Sequence, residues 1–200
     1  DGWLTLALVI DCHTRELLGW HLSRSGKAST AGAALEQALI ARNGSLGKVE
    51  NPFLLRSDNG LVFTSRDYTR LVRSYGLKQE FITPHCPQQN GMVDRLIRTV
   101  KEQCVHRDRF ESAQHASRVI GDWIYFYNNR RPHQALGMKT PADAYRLPLR
   151  LESIRSVTVT APCDGVIKSV AEKEGRAVNA QVELIRIDNP RLDLVAKRAN

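Results

Sequence analysis

Phe53-Leu54-Leu55-Arg56-Ser57-Asp58-Asn59-Gly60 decides the reading of the fold. A short apolar strand over 53–56 runs into a polar turn, so the Asp58 carboxylate stands at the strand's C-terminal end. In an open α/β sheet that is where functional groups gather. Upstream, Leu4 to Ile10 is almost uninterruptedly apolar and reads as a strand buried on both faces. Cys12-His13-Thr14-Arg15 breaks it, and Leu17 to Leu22 reads as a second strand, giving an antiparallel hairpin. Ser29 or Thr30 can cap a helix whose apolar positions Ala34, Leu35, Ala38 and Leu39 share one face, with Asn43-Gly44 as its end.

Downstream, a helix is expected from about Arg66 to Tyr75, then a strand over Lys78 to Ile82 and a loop at Pro84-His85-Cys86-Pro87. From Gln89 to Arg107 the apolar positions Val93, Leu96, Ile97, Val100 and Cys104 make the stripe of an amphipathic helix. Ala116, Val119, Ile120, Trp123, Ile124 and Tyr127 make a second stripe between Glu111 and Asn128. Strands followed by strand–helix alternation predict an α/β unit over residues 1–148. After Pro148 the texture changes. Val157 to Thr160 and Val182 to Ile187 alternate, with turn signals at Asp164-Gly165 and Glu174-Gly175, so 149–200 is expected to be a small all-β element.

Composition narrows the function. At 42% hydrophobic and 25% charged the chain is of globular type, and its longest apolar run is far too short for a membrane-spanning helix. Basic residues exceed acidic ones by seven in residues 1–150 and by one in 151–200. A basic excess confined to one unit suits a polyanion such as nucleic acid. The four cysteines, Cys12, Cys86, Cys104 and Cys163, show neither zinc-type pairs nor the density of a disulfide scaffold, so a reduced, cytoplasmic setting is expected. His13, His85, His115 and His133 share no metal-ligand spacing.

Asp58 and Asp94 stand out as acids, 35 residues apart. Asp94 falls early in the first amphipathic helix, on its polar face with Arg98 and Lys101. By themselves the residues leave two readings open. Asp58 could simply form a turn, and Asp94 could favour the positive end of its helix.

Five stretches carry a resemblance: Gly2-Trp3-Leu4 through Val9-Ile10-Asp11; Ser57 to Gly60; Pro87-Gln88-Gln89-Asn90-Gly91-Met92-Val93-Asp94-Arg95; Thr99-Val100-Lys101-Glu102; and Tyr127-Asn128-Asn129-Arg130-Arg131-Pro132-His133. In this order and spacing, residues 2–146 resemble bacterial insertion-sequence transposases with a retroviral-integrase-like DDE core. The resemblance implies a ribonuclease-H-like mixed sheet flanked by helices. It implies that Asp58 is the second catalytic acid and that Asp94 stands at the third position, the two holding Mg²⁺ or Mn²⁺. It also implies that Asn90, Arg95, Arg98 and Lys101 contact DNA, that the partners are transposon ends and target DNA, and that the active form is a homo-oligomer. Cleavage and transfer at phosphodiesters use paired metal ions, and Mg²⁺ prefers carboxylate oxygens and water.

Two departures lead to the expectation of a catalytically defective chain. The family has Glu where this chain has Asp94, and the family's first acid lies on a strand before Gly2. Asp11 matches a different, non-catalytic acid of the family. The alternatives are a non-catalytic DNA-binding remnant, or an envelope adaptor carrying a transposase-derived segment. For the tail, Thr160-Ala161-Pro162-Cys163-Asp164-Gly165-Val166-Ile167, Glu174-Gly175-Arg176-Ala177-Val178 and Leu184-Ile185-Arg186-Ile187 resemble half of a biotinyl/lipoyl-like barrel of the HlyD-like adaptor type. Asp188-Asn189-Pro190-Arg191 replaces the modifiable lysine of carrier domains, so no biotin or lipoyl attachment is expected.

Overall fold

The computed structural model describes residues 3–146 and 180–188. Strands β1 (Trp3–Asp11) and β2 (Leu17–Ser23) form the expected antiparallel hairpin, with Leu8 opposite Trp20. The apolar run of β1 follows from its surroundings. Ala7 and Val9 enter one core with Ala31, Ala34, Leu35, Ala38 and Leu39 of helix α1 (Ala28–Asn43). Leu6, Leu8 and Ile10 enter a second core with Val93, Leu96, Val100 and Ile120. Successive strand residues point to opposite faces, and here helices cover both, so neither face keeps a polar set.

Helix α1 ends as expected. Gly44 adopts φ 76° and its N–H donates to the Ile40 carbonyl, a left-handed cap that glycine takes without a Cβ clash. Its start differs from the expectation. Lys27 is the N-cap and makes no side-chain cap, while Ser29 and Thr30 fall inside the first turn. The Thr30 hydroxyl donates instead to the Ser25 carbonyl at 2.6 Å.

Small residues let α1 lie close to the sheet. A Cβ at Gly19 of β2 would overlap the Ala34 carbonyl oxygen and lie 2.7 Å from the Ala38 nitrogen. Backbone cannot step aside as a side-chain tip can, so Gly19→Ala should destabilise the fold by about 2–3 kcal/mol. Urea denaturation measures this, and an unchanged midpoint would show that α1 is free to shift.

Strands β3 (Leu54–Ser57) and β4 (Lys78–Phe81) are parallel, joined through helices α2 (Leu61–Thr64) and α3 (Arg66–Ser74). Ser65 caps α3 by accepting from the Tyr68 N–H. A short 3-10 turn, Pro87–Asn90, leads into α4 (Gly91–Val100), which continues as a π-helical segment, Lys101–Val105. Helices α5 (Ala113–Asn129) and α6 (Pro141–Arg146) follow. The predicted stripes are the packing faces: Val93, Leu96, Val100 and Cys104 are buried, as are Ala116, Ile120, Ile124 and Tyr127.

The sheet order is β2-β1-β5-β3-β4, where β5 is Ala180–Asp188. β5 runs antiparallel to β1 along its whole length and parallel to β3 at Leu55–Ala180 and Arg56–Gln181. The alternation of Val182 to Ile187 therefore marks a real strand, but its partners are strands of the N-terminal unit. The expected strand at 157–160, the turns at 164–165 and 174–175, and most of the adaptor-like resemblance lie outside the described residues.

Cysteine usage departs from the expectation. Cys86 is disulfide-bonded, while Cys12 and Cys104 are free. Scattered spacing argues against a Cys-dense scaffold but says nothing about a single bridge. Burial raises the thiol of Cys12, and that of Cys104 to about 11, so neither is an activated thiolate. Among the described residues no helix is long and apolar enough to cross a membrane.

Candidate active site

Asp58 follows the last residue of β3, at the C-terminal end of a parallel strand. Its Oδ1 accepts the Gly60 N–H at 2.7 Å, and Asn59 Nδ2 donates to the Ile82 carbonyl at 2.9 Å. The first bond closes the turn and the second ties it to the end of β4. Asp58 does form the turn, with one of its oxygens. Its Oδ2 makes no hydrogen bond among the described residues, and the side chain is half-buried.

Asp94 lies in the first turn of α4, exposed at the positive end of that helix. The apolar face of α4 packs into the core that holds Leu6 and Leu8, which fixes its polar face outward. Arg98 is one turn on, yet Asp94 and Arg98 form no ion pair. Arg95 and Arg98 are exposed and Lys101 is half-buried. Asn90 is different. It is only 5% exposed, at the N-cap of α4, and its side chain makes no cap hydrogen bond to that helix.

Asp11 is committed elsewhere. Its side chain is buried, its Oδ1 accepts from the His13 N–H at 2.8 Å, and its Oδ2 pairs with Arg42 at 2.7 Å. Arg42 also pairs with Glu16 at 2.8 Å and lies 3.8 Å over the Tyr145 ring. Among the described residues no three His, Cys, Asp or Glu side chains come together as a metal-binding group. Asp58 and Asp94 each offer hard carboxylate oxygens, the donor type Mg²⁺ prefers.

Sequence reasoning missed Gln103 and gave Arg131 no role of its own. Arg131 Nε donates to Gln103 Oε1 at 3.3 Å, which ties the end of α5 to the π-helical extension of the Asp94 helix. Nothing local marks such a pair, because its members sit on different helices.

The integrase core domain family matches residues 1–87 and again residues 75–141. A protein of insertion element IS136 from Agrobacterium fabrum is 30% identical over 146 residues, covering 72% of this chain and 74% of that protein. The chain belongs to the integrase core family. This integrase core is also 29% identical over 142 residues to transposase InsF of insertion sequence IS3A from Escherichia coli K12. That alignment takes in 70% of the chain but 48% of InsF. Two solved structures share its fold. The catalytic core domain of BIV integrase matches with a TM-score of 0.51 and 21% identity, over 70% of this chain and 84% of that one. A chain of the simian T-cell lymphotropic virus intasome, in complex with the PP2A regulatory subunit B56 gamma, matches with a TM-score of 0.58 and 17% identity, over 78% and 53%. The mixed sheet with helices on both faces is thus the integrase-core architecture.

Proposed function

We propose that this chain works on DNA as a transposase core, with Asp58 and Asp94 holding a divalent cation, Mg²⁺ or Mn²⁺, and α4 presenting cations to the phosphate backbone. What supports this most directly is the state of α4. Asp94, Arg95 and Arg98 are exposed on a helix whose other face is locked in the core, and no ion pair among the described residues consumes them. Charges left unpaired by the fold are available to a ligand. When bound, the cation would stabilise charge on the oxygens of a phosphodiester undergoing in-line displacement. The protein's own part is to fix Asp58 by its turn, to aim Asp94 from a rigid helix, and to position the backbone through Arg95, Arg98 and Lys101. Transposon ends and target DNA are the partners, a homo-oligomer is the working form, and the cytoplasm is the setting in which it meets DNA.

Binding of a duplex oligonucleotide, followed by fluorescence anisotropy across a salt series, tests the reading. Weak, sequence-tolerant binding that falls steeply with salt is expected. Arg98→Ala and Lys101→Ala should each reduce the log–log salt slope by about one. A double variant with unchanged slope would remove α4 from the DNA interface.

A further inference from the structure

Helix α3 turns three arginines outward along one line. Arg66, Arg70 and Arg73 stand at i, i+4 and i+7 in this helix, and all three are exposed. At about 3.6 residues per turn they fall within about 60° of one another. Tyr68 and Val72, on the other side, are buried in the core shared with α1, which fixes the direction in which the arginines face. From Arg66 to Arg73 the helix rises about 10 Å. β3 and β4 are parallel, so the connection between them carries the chain back along the sheet. Arg66, soon after Asp58 in the chain, therefore marks the Asp58 end of the line and Arg73 the far end.

Neither helix stability nor ion pairing accounts for this line. Arg66 is the first residue of α3, at the positive end of the helix dipole, where an acid is preferred to a cation. Arg66 with Arg70, and Arg70 with Arg73, are like charges at the spacings that make helix side chains neighbours, an arrangement that weakens a helix. The acid of this helix, Asp67, lies about a quarter turn round and lines the groove between α3 and the start of α1, with Lys27 and Ser29. Among the described residues the carboxylate pairs are taken by Arg42 and Arg56, and none reaches the three arginines of α3.

Helices α3 and α4 cover opposite faces of the sheet. Tyr68 and Val72 pack with Ala7 and Val9 of β1, whereas Val93, Leu96 and Val100 pack with Leu6, Leu8 and Ile10. A short duplex is stiff, so one lying along either helix leaves the other uncovered. We propose that Arg66, Arg70 and Arg73 form a second duplex-binding surface, holding a DNA segment distinct from the one on α4. This rests on the DNA-binding reading above and extends it, since strand transfer joins two segments. A line of about 10 Å spans roughly three base steps of one strand, which lets each guanidinium fork meet a phosphate.

The test uses the whole 200-residue chain and a dye-labelled 15-base-pair duplex at low salt, with uptake per chain counted by sedimentation. The unaltered chain should take up two duplexes. Replacing Arg66, Arg70 and Arg73 together by glutamine should lower this to one, and Arg98→Ala should still weaken the duplex that remains. The triple lysine variant keeps the charges and should keep both duplexes, which separates lost contacts from a damaged fold. Binding at α3, isolated in a chain carrying Arg98→Ala and Lys101→Ala, should fall with salt at a log–log slope of about −3. If the unaltered chain takes up one duplex and the glutamine variant binds it unchanged, the proposal is overturned and the α4 reading stands. If the α3 and α4 variants weaken one and the same duplex, the two helices share a segment and the proposal is overturned. If the unaltered chain binds no DNA, both readings fall. Loss of poly-glutamate binding in the glutamine variant, with two duplexes still bound, would assign the line to an acidic protein and overturn the proposal.

Discussion

Replacing Arg42 with methionine should cost about 3–5 kcal/mol of stability, the largest single effect expected outside the backbone. The guanidinium joins two carboxylates, Asp11 at 2.7 Å and Glu16 at 2.8 Å, and the Asp11 side chain is only 3% exposed. Removing the cation leaves that carboxylate buried and uncompensated, and Tyr145 loses the group it covers. A typical domain holds only about 5–15 kcal/mol in all, so the variant should melt far earlier. Adding Asp11→Asn removes the stranded charge, while the amide oxygen still accepts from the His13 N–H. The double variant should recover about 1 kcal/mol or more of the loss. Chemical denaturation of the four proteins measures the coupling. A single-variant cost below 1 kcal/mol would mean that the pair only breaks even against desolvation.

The second large effect is expected at Asp58. Asp58→Asn keeps an oxygen to accept the Gly60 N–H, so the turn survives and only the charge is lost. Mn²⁺ affinity, followed by electron paramagnetic resonance, should fall at least about tenfold. Stability should shift by no more than about 0.5 kcal/mol. Asp94→Glu runs the other way. One more methylene extends an exposed carboxylate from a fixed helix, and metal affinity should rise; strand transfer should rise only in a chain extended by the upstream strand that carries the family's first acid. Unchanged Mn²⁺ affinity in the Asp58 variant would remove that residue from the metal site.

Local chemistry made much of this protein legible. The stripes of α4 and α5 are the buried faces, because a helix must hide its apolar side on whatever it packs against. The Asp58 turn could be read from Ser-Asp-Asn-Gly after an apolar run. The start of α1 could not be read so well: Ser29 and Thr30 are good capping residues, but tertiary contacts drew the helix back to Ala28 and gave Thr30 a different acceptor. Pairs such as Arg42 with Asp11, or Arg131 with Gln103, leave no trace in either residue's neighbourhood. The same is true of β5. Its alternation showed a strand, but no local pattern names the strands it will lie between.

That placement has a consequence for the order in which the protein forms. The central strand of the sheet is made after β1 to β4, and Leu8 finds its partner Glu183 only once the residues between them have been synthesised. Until then the hairpin β1–β2 and the pair β3–β4 have no pairing with each other, and each presents an open inner edge. Contacts so distant in sequence close slowly, and exposed strand edges invite association with neighbouring nascent chains. Yield in a cell should therefore depend on how fast synthesis delivers residues 180–188, and on chaperones that shield the gap meanwhile.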